Sequence, residues 1–523
     1  MHQFRCTDKN VLQLIYTHLL SLAKLSLFAY LSLCGTKGHA QDFPSRDQQA
    51  EEPQRVTFAQ SPVLPGQQMD SSIATASVLG ADSELNELKS KLQNQERELQ
   101  ELRSFVYSNA PNSPTEPSGT PQSIAPPIAF YNLLSAPEEP GGGALIRVKS
   151  SAPDIGLMVY GRIAIDSVTS NGRLLAPFGY IFLGPRFPES QWTNAISARQ
   201  STLGFLFTGP DLGDFKTLAR FETYFLSSVT DANVYGLAQY FLYAKLVNDD
   251  WAFTGGVTNA LVNPLAPSVL NPASGSDFGN LGFMRPQLRA ERFLKLDDDF
   301  FITPQVAITS PVGTDFFQQL NVSSTGAQLT EETGWPNIET RLGFGLGEKP
   351  QGARYRDLEF GFSGAVGELR FSRSDFQSPV ERFNTLVWMY GADVRAQITD
   401  KFALMAEGFY GNALGSYAAG NKQTFNLDTG EGVRASGGFI EAQYKCTPKW
   451  ITHGGFMIDN PLDQDVPLSG RTYQQNAYSN VMYIHSRYLQ VGFELAHLWA
   501  GFKNPVNGDN EAWVFHNKIT FTF

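Results

Sequence analysis

Charged side chains at every second position of short apolar segments are the residues of this chain that could do chemistry. Arg162 and Asp166 alternate with Ile163 and Ile165, and in a β-strand such alternation places the charges on one face and the apolar side chains on the other. Charges that share a face can pair, or they can set an electrostatic barrier for ions and polar solutes. The residues that we assign to this charged, lumen-facing side are Arg162, Asp166, Arg220, Glu222, Arg285, Arg289, Glu291, Arg341, Asp393, Arg395 and Glu407.

Patterns typical of catalysis or of metal binding do not occur in the sequence. The histidines of the second half stand apart from one another, and there is no His-Glu-x-x-His, Gly-x-Ser-x-Gly, phosphate-binding-loop or paired-cysteine pattern. The glycines at 343–347 lie in an alternating segment that no helical pattern follows, which favours a strand. Asp459, Asp463 and Asp465 could bind a divalent cation, but acidic residues are common in hydrophilic loops. We therefore expect no enzymatic activity, no cofactor and no metal site.

The composition narrows the class of protein. The 523 residues carry a net charge of −11, and 17% of them are charged. The acidic balance argues against a nucleic-acid partner, since such proteins present a basic patch. No apolar run of about 20 residues follows the N-terminal region, which argues against a bundle of membrane-spanning helices. A transmembrane β-barrel is compatible with these values, because half of each strand faces a polar interior.

Residues 1–40 have the pattern of a signal peptide for export. Basic residues precede an apolar run at 25–33, and the small residues that end at Ala40 fit a cleavage site. An uncleaved membrane anchor and a lipoprotein modified at Cys34 are the alternatives. Cleavage would leave Cys446 alone in the mature chain, so an intrachain disulfide is excluded.

Three segments of different composition follow the signal. Residues 41–77 are polar and contain several prolines, and we interpret them as disordered. In 78–107 a heptad pattern with polar residues between the apolar ones predicts an oligomeric coiled coil; one amphipathic helix lying on a domain is the alternative. Residues 108–154 contain nine prolines and a run of three glycines, typical of an extended linker. The predicted seam of the coiled coil consists of Leu85, Leu88, Leu92, Gln95, Leu99, Leu102 and Val106.

Residues 155–523 repeat an alternation of period two that predicts many strands. An antiparallel sandwich with one wet face is an alternative, so the connections must decide. The short connections fall at 209–215, 248–250, 297–299, 348–354, 399–401, 447–449 and 485–487. The long connections fall at 169–195, 227–234, 260–284, 310–334, 365–384, 412–431, 459–475 and 501–511. Seven short and eight long connections in alternation predict an all-β fold, a sixteen-stranded antiparallel transmembrane barrel preceded by a short α-helical coiled coil.

The ends of the chain agree with a barrel. An even number of strands puts both termini on one side, so we expect the N-terminal region to lie in the periplasm beside Phe523. The last strand ends in Phe521-Thr522-Phe523. A terminal strand with a C-terminal aromatic looks like the assembly signal of bacterial outer-membrane proteins, which implies the barrel-assembly machinery as a partner and the outer membrane as the location.

Two stretches resemble DcaP-like porins: residues 197–222, beginning Ser-Ala-Arg-Gln-Ser, and residues 283–289, Phe-Met-Arg-Pro-Gln-Leu-Arg. The resemblance implies a trimeric sixteen-stranded channel with an N-terminal periplasmic coiled coil. The chain departs from the family pattern at 255–259, where a Gly-Gln pair is often found and Gly-Gly-Val-Thr-Asn stands here. That difference affects the entry to the third long loop, so the family pattern does not predict the constriction or the solute that the channel admits.

The function that these features predict is diffusion of small hydrophilic solutes, anionic ones included, through a water-filled barrel in the outer-membrane lipid. Similarity to trimeric porins implies that the loop at 260–284 folds inward and narrows the passage, and Arg285 and Arg289 at its exit would then contact an anionic solute. A structural protein that tethers or spaces the membrane through its coiled coil is the alternative. A barrel enzyme, which would need a Ser–His pair on adjacent strands, is a third.

The coiled coil provides a first test. Three copies held under one trimeric barrel would associate more readily because their effective concentration is high. Deletion of 78–107 should therefore weaken trimer assembly or its resistance to heat while leaving conduction intact. The measurement is the mobility of the trimer on native gels across a temperature series, and unchanged mobility would count against this role.

Overall fold

The computed structural model describes residues 146–149, 155–175, 182–184, 192–225, 237–271, 275, 278–282, 284–310, 335–347, 356–373, 381–426, 429–468, 470–504 and 508–523. The predicted signal peptide (1–40), the predicted disordered segment (41–77) and the predicted coiled coil (78–107) lie outside these residues, and so does most of the predicted linker (108–154). Within that linker, Ile146–Lys149 form a short strand, which the proline and glycine content did not indicate.

Apolar and β-branched residues in alternation form the long strands. The strands are β1 (Ile146–Lys149), β2 (Gly156–Ser170), β3 (Leu174–Leu175), β4 (Phe182–Leu183), β5 (Thr193–Ser197), β6 (Thr202–Leu212), β7 (Phe215–Tyr224), β8 (Ala238–Val247), β9 (Trp251–Asn259), β10 (Met284–Arg292), β11 (Leu294–Asp297), β12 (Phe300–Thr309), β13 (Asn337–Leu346), β14 (Leu358–Arg373), β15 (Glu381–Thr399), β16 (Phe402–Asn412), β17 (Arg434–Thr447), β18 (Trp450–Pro461), β19 (Arg471–Ile484), β20 (Leu489–Phe502) and β21 (Asn510–Thr522). Two 3₁₀ turns, Leu414–Tyr417 and Gly420–Lys422, lie between β16 and β17.

Sixteen of these strands form one closed antiparallel sheet, which confirms the predicted barrel. Neighbours in sequence pair around the ring from β6 to β21, with β11 as a short extension between β10 and β12. The ring closes where β2 pairs with β21 on one edge and with β5 and β6 on the other. At the seam, Gly161 and Phe523 exchange two backbone hydrogen bonds of 3.0 Å each.

The two faces of the wall differ in the way that the alternation predicted. Ile163 and Ile165 are about half exposed, whereas Asp166, the next residue along β2, is buried against His516 of the paired strand. On β10 the exposed fraction is 69% for Leu288 and 5% for Gln287. The apolar side chains therefore lie on the outside of the barrel, and the polar ones face its interior.

The connections differ most from the sequence-based expectation at the β14–β15 hairpin. Tight turns at 213–214, 248–250 and 400–401 agree with the predicted short connections. The predicted long loop at 365–384 is largely strand, because β14 runs to Arg373 and β15 starts at Glu381, and the two pair along that whole length. No helix in the described part of the chain is long and apolar enough to cross a lipid bilayer.

Two adjacent glycines in β9, Gly255 and Gly256, differ in the space available for a Cβ atom. Gly256 has a φ of +128°, and a Cβ there would lie 2.2 Å from the Leu242 carbonyl oxygen; at Gly255 the nearest atom, Leu288 Cδ2, would be 3.4 Å away. Gly256→Ala should lower the free energy of unfolding by about 1–3 kcal/mol because the backbone is strained. Gly255→Ala is the matched control and should change it little. Urea unfolding of the barrel in lipid vesicles measures both, and equal effects would contradict the prediction.

Candidate functional site

The third loop, residues 260–283 between β9 and β10, enters the barrel. Nearly all of its described residues are buried, although the loop has no regular secondary structure. An irregular segment in a protein interior must find partners for its backbone N–H groups. The inner face of the wall supplies them as carboxylates.

Glu441 on β17 is one such carboxylate. Its side chain accepts hydrogen bonds from the Ser268 backbone N–H at 2.5 Å and from the Ser268 hydroxyl at 2.8 Å. The Tyr478 hydroxyl donates to the same carboxylate. Both oxygens of the side chain accept from Ser268, so this residue fixes the middle of the third loop against β17.

Two further glutamates hold the loop on either side of Ser268. Glu339 on β13 accepts the Leu261 N–H at 2.7 Å, and Glu494 on β20 accepts the Leu270 N–H at 2.8 Å. These three anchors lie on well-separated strands of the ring. The third loop therefore crosses the interior rather than lying along the strands from which it starts.

Basic and amide side chains hold residues 270–271 of the third loop. Lys518 Nζ donates to the Leu270 carbonyl oxygen at 3.0 Å and to Gln200 Oε1 at 2.5 Å, while Gln200 Nε2 donates to Asn271 Oδ1 at 3.0 Å. Asp166 lies 3.5 Å from the same ammonium group. This part of the loop is thus tied to β2 and β21, the strands at which the barrel closes.

Apolar packing supplements the polar anchors. Leu265, Val269 and Phe278 of the third loop belong to a buried cluster with inner-wall side chains that include Met457 and Leu498. Burial of a side chain of this size is worth about 1.5–3 kcal/mol. The loop is therefore held by both kinds of interaction.

A second connection, the β16–β17 loop (413–433), also lies inside the barrel. Residues 413–426 are all buried. The Gly282 N–H donates to the Tyr417 carbonyl oxygen at 2.8 Å, and the Tyr417 hydroxyl donates to Glu339 at 3.1 Å. Burial raises the pKa of the Tyr417 phenol, so this group keeps its proton and remains a donor. Glu339 therefore holds both loops.

Arg285, which the sequence analysis expected at the exit of the third loop, lies beneath the β16–β17 loop. Its side chain is 0% exposed. Its Nη2 donates to the Ser416 carbonyl oxygen at 2.5 Å, its guanidinium lies 3.8 Å from the Tyr417 ring centre, and its Nε is 3.7 Å from Glu339. A role of this arginine in solute contact stays a prediction.

Other predicted residues keep part of their surface open to the interior. Arg341 is 14% exposed and pairs with Asp393 through two hydrogen bonds, the shorter of 2.7 Å. Arg289 and Glu291 lie 3.5 Å apart and are 15% and 12% exposed. These pairs form a polar arc on β10, β13 and β15.

Seven of the eleven residues predicted to face the lumen are buried, and the other four are partly buried. On the side of β2, Arg220, Glu222 and Tyr160 form one buried hydrogen-bonded group. Glu407 is close to the third loop, where Asn280 donates to it at 3.4 Å. The buried residues are Asp166, Arg220, Glu222, Arg285, Asp393, Arg395 and Glu407, and the partly buried ones are Arg162, Arg289, Glu291 and Arg341.

Sequence reasoning missed the carboxylate Glu441 and the inward course of the β16–β17 loop. Glu441 could have been found by alternation, since Ile440 and Tyr444 are exposed on the other face. The signal in the loop is its composition: from 413 to 426 the only charged residue is Lys422, which is unusual for a segment in water. Among the described residues, no group of three or more His, Cys, Asp or Glu side chains is arranged to hold a metal ion.

Two of the aspartates considered for cation binding instead hold loops. Asp465 lies in the β18–β19 connection and accepts from Arg434 at 2.7 and 2.9 Å. The Arg434 hydrogen bonds hold the pKa of the Asp465 carboxyl below its usual value. Asp459 accepts backbone N–H groups of the β16–β17 loop.

Comparisons with known proteins support the fold. No family model matches the sequence, and a search of curated proteins found no match. Among solved structures, the outer membrane channel DcaP of Acinetobacter baumannii is similar with a TM-score of 0.55 and 16% identity, over 72% of this chain and 100% of that one. An anion-selective porin from Comamonas acidovorans gives a TM-score of 0.46 at 10% identity, over 71% of this chain and 100% of that one. The chain thus shares the fold of the DcaP channel, as the sequence resemblance implied.

Exchange of backbone amides tests the glutamate anchors. Glu441→Gln replaces one of the two oxygens that accept from Ser268 with an amide donor, so the Ser268 amide should exchange its hydrogen about tenfold faster or more. The Leu270 amide, held by Glu494, should keep its protection. Glu494→Gln is the matched control and should reverse the pattern. Hydrogen–deuterium exchange with residue-level fragmentation measures both amides, and equal acceleration of the two would mean that the anchors do not act separately.

Proposed function

We propose that this protein is a porin of the bacterial outer membrane, through which small hydrophilic solutes, anionic ones included, diffuse. One observation carries the proposal: a closed sixteen-stranded barrel with an apolar outer face and a charged inner face. Barrels of this strand number enclose an aqueous channel. The N-terminal region would lie in the periplasm, on the side of Phe523.

The third loop supports a channel of limited width. Its backbone is tied across the interior to Glu339, Glu441 and Glu494. A loop fixed in this way narrows the passage and keeps it narrow, so solutes would be sorted by size at that level.

The contacts made by the charged side chains of the inner face support an anionic solute. Several inner carboxylates are engaged by loop N–H groups, and in the polar arc the Arg341 side chain is 14% exposed whereas that of its partner Asp393 is 4% exposed. Near the mouth with the short turns, Arg356 donates to the Gly347 carbonyl oxygen at 2.7 Å and stacks on Phe301. A guanidinium held by a neutral carbonyl keeps its positive field, which favours anions in a narrow passage.

The assembly that we propose is a homotrimer inserted by the barrel-assembly machinery. The predicted coiled-coil seam at 78–107 and the terminal Phe521 and Phe523 support it. The outward position of Phe521, which is 48% exposed, leaves that ring accessible.

Single-channel recording in a planar bilayer under a salt gradient tests the proposal. We expect current that closes in three steps and a reversal potential that indicates anion preference. A folded but silent barrel would contradict the porin and favour a tether built on the coiled coil.

Charge variants of one ion pair sharpen the measurement. Arg341→Gln removes a positive charge from the interior and should move the reversal potential toward cation preference. Asp393→Asn, its partner, is the matched control and should move it the opposite way by a similar amount, because the two side chains occupy the same place. Shifts in one direction for both variants would show that neither charge acts on passing ions.

A further inference from the structure

We propose that the β16–β17 loop is a second constriction element, which with the third loop sets the size of the passage, and that Asp459 is the positioning residue that keeps it inside the barrel. The inference deepens the proposed porin function and rests on it. The sequence-based expectation assigned the narrowing to the third loop alone.

The loop is built for an interior rather than for water. All of its residues from 413 to 426 are buried, including Leu414, Tyr417 and Phe425. Leu414 and Tyr417 pack with Leu281 of the third loop in one apolar cluster. In a loop exposed to water, these apolar side chains would remain solvated. Packed against the third loop, they are removed from water, which stabilises the inward position.

The backbone of this loop is strained. Ala413, Ala418, Asn421 and Lys422 have positive φ values of 57°, 62°, 53° and 57°. Residues with a Cβ seldom adopt this conformation, and it persists only where surrounding contacts enforce it. Without its anchors, the loop would relax to another course.

Asp459 on β18 supplies the main anchor at the strained segment. Its two carboxylate oxygens accept the N–H groups of Gly420 at 2.9 Å and Asn421 at 2.6 Å. A second clamp lies next to it: Gln423 donates to the Arg471 carbonyl oxygen at 2.8 Å, and Gln423 Oε1 accepts the Arg471 N–H at 3.0 Å. Charge-assisted bonds to one buried carboxylate are the stronger of these contacts.

The two inward loops share anchors and therefore act together. Tyr417 contacts both the third loop, through Gly282, and the wall, through Glu339, which also binds Leu261. Groups in one hydrogen-bond network do not contribute independently. Release of the β16–β17 loop would thus remove a barrier and also uncover Arg285 and Glu339.

Removal of the loop is the direct test. The Ala413 N–H bonds to the Val433 carbonyl oxygen at 2.9 Å, so the ends are adjacent, and an Asn-Gly turn can replace 414–432. Conductance of the deletion variant should rise about twofold or more, because a wider passage carries more ions. In liposome swelling assays it should also admit sugars too large for the unaltered protein. Heat-shifted mobility on gels verifies that the barrel is folded.

A point variant keeps the test decisive if the deletion does not fold. Asp459→Asn removes the charge and one acceptor from the anchor, and it should raise conductance or make it fluctuate between two levels. Asp463→Asn removes an equal charge from an exposed position on a neighbouring loop and should have no such effect. Equal behaviour of the two variants would overturn the role of Asp459.

The outcomes separate this inference from the porin proposal. If the unaltered protein conducts and neither the deletion nor Asp459→Asn changes its current or its size limit, the inference is overturned and the porin stands. If the unaltered protein is silent and the deletion conducts, the loop is the closing element and passive diffusion is the part that fails. Silence of all folded variants would overturn both.

Discussion

The hydrogen bonds between β2 and β21 close the sheet on itself, and the rest of the structure depends on that closure. In a lipid bilayer each unpaired backbone group is costly, so a sheet can cross it only as a ring without edges. Once the ring is closed, its outward side chains must be apolar and its inward ones are free to be polar. Ile163 and Asp166 on β2 show both consequences within four residues.

The loops inside the barrel must also pair their backbone groups. Two loops without regular structure are buried there, and their N–H groups need acceptors as much as those of the wall do. Carboxylates on the inner face meet that need: Glu339, Glu441 and Glu494 for the third loop and Asp459 for the β16–β17 loop. The acidic residues of the lumen are thus in part structural.

The sequence predicted what local patterns determine. On β15, Asp393 and Arg395 are buried while Val394 between them is 39% exposed, because strand geometry alone decides the face. It did not predict features that depend on distant partners. The extension of β14 and β15 beyond Ala365 rests on their mutual pairing, and the burial of Arg285 rests on the carbonyl of Ser416, far along the chain. The coiled coil remains a prediction, since its residues lie outside those described.

The pairing of β2 with β21 also affects the order in which the barrel assembles. β2 comes first among the wall strands in the chain and its final partner β21 comes last, so one edge of β2 stays open until the rest of the wall has formed. Pairing of segments so far apart in sequence is slow, and an open edge invites pairing with the wrong chain. β1 pairs with the part of that edge which β21 does not reach, since its partners run from Gly156 to Val159 and those of β21 from Arg162 onward. Substitutions at this edge would therefore act on how fast and how faithfully the barrel is completed, even where the finished barrel is no less stable.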